Sequence, residues 1–314
     1  MGLKLIRGLD GVASEDKGAS AAIGNFDGVH RGHQAVLDLA RRPGVPLGVV
    51  TFEPHPREVF APDAPPFRLM SAAAKADRLA VLGVERLFEV SFTREFSSLT
   101  ADAFCEDVIA GTLGLSHVVV GADFRFGAKR MGDADHLRAA GARLGFDVTI
   151  AELLHDTAEE VSSTAIRTAL TEGRPEDARR MLGHLHRIEG RVLHGEKRGR
   201  ELGYPTANQS IEGLLPPKFG VYTVTVNVMD GPHQGSYGGV ASLGVRPMFG
   251  ENKPNLETFI FDFSGDLYDA RLSVGLVAYQ RPELKFDGLD GLVKQMKADE
   301  AEARATLAAA EGAT

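Results

Sequence analysis

Two stretches of this 314-residue chain combine glycine, imidazole, hydroxyl and carboxylate groups at spacings suited to phosphate chemistry. The first is Gly24-Asn-Phe-Asp-Gly-Val-His-Arg-Gly-His-Gln34, which follows an apolar run and leads straight into a helical pattern. Gly28 and Gly32 let the backbone turn tightly and approach a ligand. The start of the next helix offers unpaired N–H groups and a positive dipole end to phosphate. His30 and His33 share one face across the loop–helix junction, where imidazoles donate hydrogen bonds to charge building on a transferring phosphate. Two histidines near glycines are also what a plain surface turn contains, so the full string carries the reading, not the pair. The second stretch runs from Gly190 to Asn208. Gly195, Gly199 and Gly203 with Lys197, Arg198 and Arg200 make a basic flap of the kind that folds over phosphates. Thr206 and Asn208 stand two apart on one side of a strand and offer neutral oxygens to a hard cation such as Mg²⁺, alongside phosphate oxygens. Glu257, within Leu256-Glu-Thr-Phe-Ile-Phe-Asp262, is a carboxylate in an otherwise apolar strand. It lies either at a strand edge or in a site.

These groups need scaffolds, and the hydrophobic pattern supplies two. From residue 18 to about 183, apolar runs at Ser20–Phe26, Leu47–Phe52, Leu87–Phe92, His117–Gly121 and Asp147–Ala151 alternate with helical segments at Gln34–Arg42, Ala72–Leu82, Ala101–Thr112 and Asp135–Leu144. That alternation predicts a parallel α/β sheet, in which ligands sit at the carboxyl ends of the strands. Near residue 184 the texture changes. Arg187–His194, Gly220–Val228, Gly238–Gly244, Leu256–Phe263 and Arg271–Tyr279 are β-like runs joined by Gly, Pro, Asn and Asp. Tyr222, Val224, Val226 and Val228 alternate with polar residues, and Leu272, Val274, Leu276 and Ala278 repeat the pattern, as half-buried antiparallel strands do. A small barrel or sandwich follows, closed by a charged, alanine-rich helix over about Leu289–Leu307. The expected division is 1–183 and 184–314.

Composition narrows the classes. Hydrophobic residues make up 43% and charged residues 25%, enough apolar material for two cores. No apolar stretch approaches the roughly 20 residues of a membrane span, and Asp10, Glu15, Asp16 and Lys17 interrupt any signal-peptide pattern. A cytoplasmic protein is expected. The single Cys105 excludes an intrachain disulfide and reads as a buried small hydrophobe in an amphipathic helix. With 35 Lys and Arg against 43 Asp and Glu, the formal charge of −8 argues against gripping long nucleic acid. Small anions need only local positive pockets, such as Arg125, Lys129 and Arg130, or Lys197, Arg198 and Arg200.

The first string contains the His-x-Gly-His signature of the HIGH-type nucleotidylyltransferase superfamily, and in full it resembles the bacterial bifunctional riboflavin kinase/FAD synthetase family. Other segments match that family in order. Thr51-Phe-Glu-Pro-His-Pro56 resembles its second motif. Gly121-Ala-Asp-Phe-Arg-Phe-Gly127, with Arg130 and Gly132, resembles its flavin-side loop. Ser162-Ser-Thr-Ala-Ile-Arg167 resembles the second phosphate-binding motif, although Ser-Ser-Thr opening a helix is also a plain N-cap. Pro205-Thr-Ala-Asn208 and its flap resemble the riboflavin kinase signature. The Gly-x-x-x-x-Gly-Lys-Ser/Thr nucleotide loop is absent.

The resemblance implies an N-terminal Rossmann-like α/β adenylyltransferase domain and a C-terminal antiparallel β-barrel kinase domain. It implies ATP with Mg²⁺, and riboflavin and FMN as substrates. Catalytic roles fall to Glu257 as base and to His30, His33, Asn25 and Asp27. ATP and phosphate contacts fall to Gly24, Phe26, Gly32, Ser163, Thr164, Arg167, Gly195, Lys197, Gly199, Arg200, Thr206 and Asn208, with Thr206 and Asn208 also holding the metal. Flavin contacts fall to Asp123, Phe124, Arg125 and Phe126, and Asp262 is structural. Three departures are local: Ser242 where Asn is common, Met248 where Thr is usual, and Phe259 where His is frequent. Met248 cannot replace the hydroxyl's hydrogen bonds. Two other readings stay open. One is an adenylyltransferase of the same superfamily with another phosphorylated acceptor and a non-catalytic barrel. The other is a flavin-binding or regulatory protein on the same fold.

Overall fold

The computed structural model describes residues 2–152, 155–156, 159–194, 203–248 and 251–311. They form two units, one from the N-terminus to Ala64 and from Ala72 to Val161, the other from Pro65–Ser71 and from Ser162 onward. The helices α4 (Ser163–Thr171) and α5 (Pro175–Leu182) thus pack in the second unit, ahead of the strand-rich texture that begins at Arg187.

The first unit is built on β1 (Lys4–Arg7), β2 (Ser20–Ile23), β3 (Leu47–Glu53), β4 (Arg86–Ser91), β5 (His117–Gly121) and β6 (Asp147–Ala151). All pair in parallel, in the order β1-β4-β3-β2-β5-β6. β2 and β5 are buried along nearly their whole length, the mark of a sheet covered on both faces. The helices α1 (Arg31–Ala40), α2 (Ala72–Val81) and α3 (Ala134–Leu144) supply cover. β2 opens with the small residues Ser20, Ala21 and Ala22, and a Cβ on Gly48 of β3 would come within 3.0 Å of the Ala21 Cβ, so the central strands are tightly packed. The chain goes from β2 outward to β3 and β4, then returns to β5 on the other flank. The switch between β2 and β3 on one side and β5 on the other is where such sheets bind ligands.

A serine and a histidine lie at the opposite, amino end. The Ser20 hydroxyl donates to the Ala40 carbonyl at 2.6 Å and so accepts from His117 Nδ1 at 2.8 Å, while His117 Nε2 meets Thr149 Oγ1 at 2.9 Å. These bonds tie β2 to β5, β6 and the end of α1, which makes the group structural. Cys105 is fully buried, and burial pushes its thiol up to about 11, so it acts as a hydrophobe. Its helix continues as a π-helix over Phe104–Thr112.

In the second unit, β7 (Arg187–Arg191), β8 (Thr206–Ser210), β9 (Gly220–Val228), β10 (Gly235–Met248), β11 (Glu251–Ile260) and β12 (Arg271–Arg281) form an antiparallel sheet ordered β8-β11-β10-β9-β12-β7. A bridge between Leu193, just after β7, and Asn208 joins the two outer strands, with the Leu193 amide donating to the Asn208 carbonyl at 2.8 Å. The sheet therefore closes on itself as a barrel. Tyr222, Val224, Val226 and Val228 fill its interior with Leu272, Val274 and Leu276, as the alternation predicts. Ala278 leaves this row because register shifts in the β9–β12 pair set it opposite Thr223. The helix α6 (Leu289–Glu311) covers the outside of β9 and β10, with Leu307 over Gly238. Buried Asp299 on α6 accepts from Arg281 Nε at 2.8 Å.

His186 is buried at the entry to β7, and burial, helped by neighbouring His184, pushes its ring down to about 4. An unfolded chain protonates histidine near about 6.5, so the unfolded state takes up this proton first as pH falls. The stability tied to neutral His186 is present above about pH 6.5 and lost progressively toward pH 4, to a total of about 3 kcal/mol. The chain has five tyrosines, all between Tyr204 and Tyr279, and no tryptophan, so tyrosine near-ultraviolet circular dichroism follows the second unit alone. Urea titrations at pH 7 and pH 4.5 should show a larger loss of stability in the native chain than in His186→Gln. Equal losses would refute the assignment.

Two candidate catalytic sites

In the first unit, β2 ends at Ile23 and the chain enters a strained turn. Phe26 and Val29 have φ of 51° and 44°, and Gly28 has 87°. Left-handed backbone at a β-branched residue costs on the order of 1–3 kcal/mol, and burial of the Phe26 and Val29 side chains holds it in place. His30 is the N-cap of α1, and its Nδ1 accepts the His33 amide at 3.3 Å. An accepting Nδ1 carries no proton, so the neutral His30 ring bears its proton on Nε2. The His33 ring stacks on it at 3.7 Å between centroids, and Phe26 supports His33 from 4.9 Å. A Cβ on Gly32 would sit 3.1 Å from the His30 ring, which is why glycine belongs there.

The His33 ring keeps some exposed surface, but its Nδ1 is enclosed without a hydrogen-bond partner. That enclosure, then the His30 ring, then the Lys75 ammonium hold its pKa well below the usual histidine value. His33 is therefore neutral at physiological pH. The structure thus brings Gly24, Asn25, Phe26, Asp27, His30, Gly32 and His33 into one turn. Phe26 is buried, so its ring supports His33 and leaves only backbone for a phosphate contact. Asp27 is likewise buried.

The loop after β5 is a tight hairpin in which Phe126 and Gly132 exchange backbone hydrogen bonds at 3.1 and 2.9 Å. Phe124 stacks on buried Phe126 at 5.5 Å, while Asp123 and Arg125 are exposed and Arg125 pairs with Asp133 at 3.1 Å. A Cβ on Gly127 would come within 2.7 Å of the Ala101 amide nitrogen. An aromatic chain continues from Phe126 through Phe104, Phe96 and Phe92 to exposed Phe60. Sequence reasoning singled out only the Phe124–Phe126 end, because the other rings come from four separate segments.

Ser163, Thr164 and Arg167 lie on α4, in the second unit. Ser162 caps this helix, its hydroxyl accepting the Ala165 amide at 3.2 Å. Arg167 Nε donates to the Phe67 carbonyl at 2.7 Å, and its guanidinium lies 5.4 Å from the Phe67 ring centroid. Phe67 belongs to the Pro65–Ser71 segment, and sequence reasoning gave that segment no role.

On the barrel, register assembles the second constellation. Asn208 on β8 lies directly opposite Glu257 on β11, and Glu257 lies opposite Ser242 on β10. β11 is flanked on both sides, so Glu257 is on no edge and its half-buried carboxylate lines a face. Thr206, Asn208, Glu257 and Ser242 share that face, opposite to inward-facing Ala207, Leu256 and Ala241. Asn255 Nδ2 donates to Asn208 Oδ1 at 3.4 Å, which turns the amide oxygen to a defined side. Phe259 stands opposite Thr206 and packs 4.8 Å from the Tyr204 ring. Asp262 is structural, held by Arg304 at 2.8 and 3.0 Å. Glu283 covers Gly244 so closely that a Cβ there would meet its carboxylate at 2.5 Å. Gly195, Lys197, Gly199 and Arg200 lie outside the described residues, and Met248 ends β10.

Neutral hydroxyl and amide oxygens two apart on a half-buried face suit a hard cation that shares its shell with phosphate oxygens. Among the described residues no group of three or more His, Cys, Asp or Glu stands together to hold a metal alone.

A FAD synthetase family model matches residues 12–165 and a riboflavin kinase family model matches residues 182–307. A bifunctional riboflavin kinase/FMN adenylyltransferase of Pseudomonas fluorescens is 44% identical over 311 residues, covering 98% of each chain. The protein of that name from Escherichia coli K12 is 40% identical, covering 96% of this chain and 97% of its own. A crystal structure of a Streptococcus pneumoniae protein named for macrolide efflux is 31% identical, with a TM-score of 0.82 over 97% of this chain and 99% of that one. These matches run along both units in one polypeptide. The chain belongs to the bifunctional riboflavin kinase/FMN adenylyltransferase family.

Proposed function

We propose that this chain phosphorylates riboflavin to FMN and then adenylylates FMN to FAD, consuming one ATP in each step. The observation that carries the reading is the register that sets Thr206, Asn208 and Glu257 on one barrel face, in the same chain as the His30–His33 phosphate turn. An adenylyltransferase with a different acceptor and an inert barrel has no use for that face.

In the kinase step, Glu257 takes the proton of riboflavin's 5′-hydroxyl as the oxygen attacks the γ-phosphorus of ATP, and ADP leaves. Thr206 Oγ1 and Asn208 Oδ1 hold Mg²⁺, which supplies charge neutralisation at the phosphate oxygens when bound. Gly195, Lys197, Gly199 and Arg200 contact those phosphates. Ser242 stands beside Glu257 and Phe259 beside Thr206, and with Glu257, Thr206 and Asn208 in place these departures leave the kinase active.

In the adenylyl step, the FMN phosphate is already anionic, so its oxygen attacks the α-phosphorus without a base and pyrophosphate leaves. The protein's task is alignment and stabilisation of charge. His30 presents Nε2–H, the α1 terminus presents amides, and Gly24, Asn25 and Asp27 shape the turn. Ser163, Thr164 and Arg167 hold the triphosphate, and Asp123, Phe124, Arg125 and Phe126 hold the flavin. Residues 1–183 form the adenylyltransferase domain and 184–314 the kinase domain, a division drawn from the change of sequence texture. The substrates are small molecules and the location is cytoplasmic. Among the described residues no helix is long and apolar enough to cross a membrane.

Incubation with riboflavin, ATP and Mg²⁺, followed by chromatography of the flavins, should yield FMN and FAD. Glu257→Ala should lower FMN formation by about a hundredfold or more yet still convert supplied FMN to FAD. The double variant His30→Ala/His33→Ala should do the reverse. Folded variants that each fail both steps would overturn the division of labour. Gly32→Ala pushes a methyl against the His30 ring, so adenylyl transfer should slow by about ten- to a hundredfold with the kinase rate unchanged. An unaffected adenylyl rate would show that the ring's position is immaterial.

A further inference from the structure

The helix α2 carries a cation that no motif assigns. Lys75 is only 2% exposed, on an alanine-rich helix whose other charges reach solvent more freely. Its Nζ lies 2.8 Å from Glu53 Oε1, 3.0 Å from Thr51 Oγ1 and 3.3 Å from the Asn25 carbonyl. An ammonium has three protons to donate, and Glu53, Thr51 and Asn25 are among its acceptors. Thr51 Oγ1 also donates to the Asn25 carbonyl, at 3.1 Å. One buried charge thus ties the first residues of the phosphate turn to the carboxyl end of β3.

Stability is a weak reason for such an arrangement. Desolvation offsets most of the attraction in a buried ion pair, and apolar replacements are often neutral. What the pair does provide is a fixed position. The Asn25 carbonyl is held from two sides, and one residue later the backbone enters the left-handed conformation at Phe26. The Phe26 ring in turn supports His33, which stacks on His30.

We propose that Lys75 is a positioning residue for adenylyl transfer, anchoring the start of the phosphate turn through the Asn25 carbonyl and so placing the His30–His33 pair. This deepens, and rests on, the adenylyl-transfer reading of the first unit. Charge adds to the effect. The titratable groups acting on His33 are His30 in the turn and Lys75 on α2, the latter paired with Glu53 on β3. Lys75 is one of the influences that keep His33 neutral. Losing it lets the ring protonate at higher pH.

The test uses the full chain. Lys75→Met takes the Lys75 ammonium from the Glu53 carboxylate and risks the fold, so Lys75→Met/Glu53→Gln, which removes both charges, is made beside it. Kinase turnover and circular dichroism of each preparation report whether it is folded. The expected result in folded variants is a fall of about tenfold or more in kcat for FMN to FAD, with KM for FMN within about threefold. The acid limb of the rate profile should move to higher pH, more in the single variant than in the double one. Unchanged kcat in the folded double variant, or a lowered kcat with the acid limb unmoved in both, overturns the proposal. If the native chain itself forms no FAD from FMN, the adenylyl-transfer reading has failed instead.

Discussion

A single amide hydrogen bond sets the chemistry of the first unit. When the His33 N–H donates to His30 Nδ1, it caps a helix, fixes a tautomer and brings two imidazoles into a stack. A capping bond contributes only about 1 kcal/mol to stability, but its geometric effect is larger because it leaves the neutral ring's proton on Nε2. Two charged imidazoliums could not share a stack of 3.7 Å without strong repulsion. The turn therefore favours neutral donors, which suits a reaction in which no proton needs to be removed.

The barrel solves a different problem by register. A hydroxyl is a poor nucleophile and benefits from a base nearby, so the placing of a carboxylate matters on this face. Antiparallel pairing sets Glu257 opposite Asn208, and the alternation of side chains brings Thr206 to the same face. A one-residue slip of β8 would turn Thr206 and Asn208 toward the apolar interior, and one of β11 would turn Glu257 there. Tyr222, Val224, Leu256 and Leu272 are buried by that register, so the core that stabilises the barrel also determines where the site lies.

Much of this was legible in the chain. Strict alternation marked β9, and the runs His117–Gly121 and Asp147–Ala151 coincide with β5 and β6. Fully buried parallel strands and clean antiparallel ones leave strong patterns. β1 escaped because Lys-Leu-Ile-Arg is too short to show a period, and it exists only through pairing with β4. Glu257 was ambiguous between edge and site until strand order placed neighbours on both sides. Lys75 was invisible, because one lysine on a helix reads as a solvated charge until the partners from the turn after β2 and from β3 are seen in space. The role of Phe67 beside Arg167 was hidden in the same way, by a hundred residues of intervening chain.

The left-handed backbone at Phe26 and Val29 has a consequence for the tempo of the reaction cycle. Both side chains are anchored in the interior, so the turn is a stiff cradle whose shape is set by packing. Little conformational freedom is left there to lose on association, and the entropy that ligand capture normally consumes is spared at this point. A cradle of that kind cannot double as a gate. Whatever opens and shuts around ATP during turnover must be borne by other segments, while this turn stays still and serves as their reference.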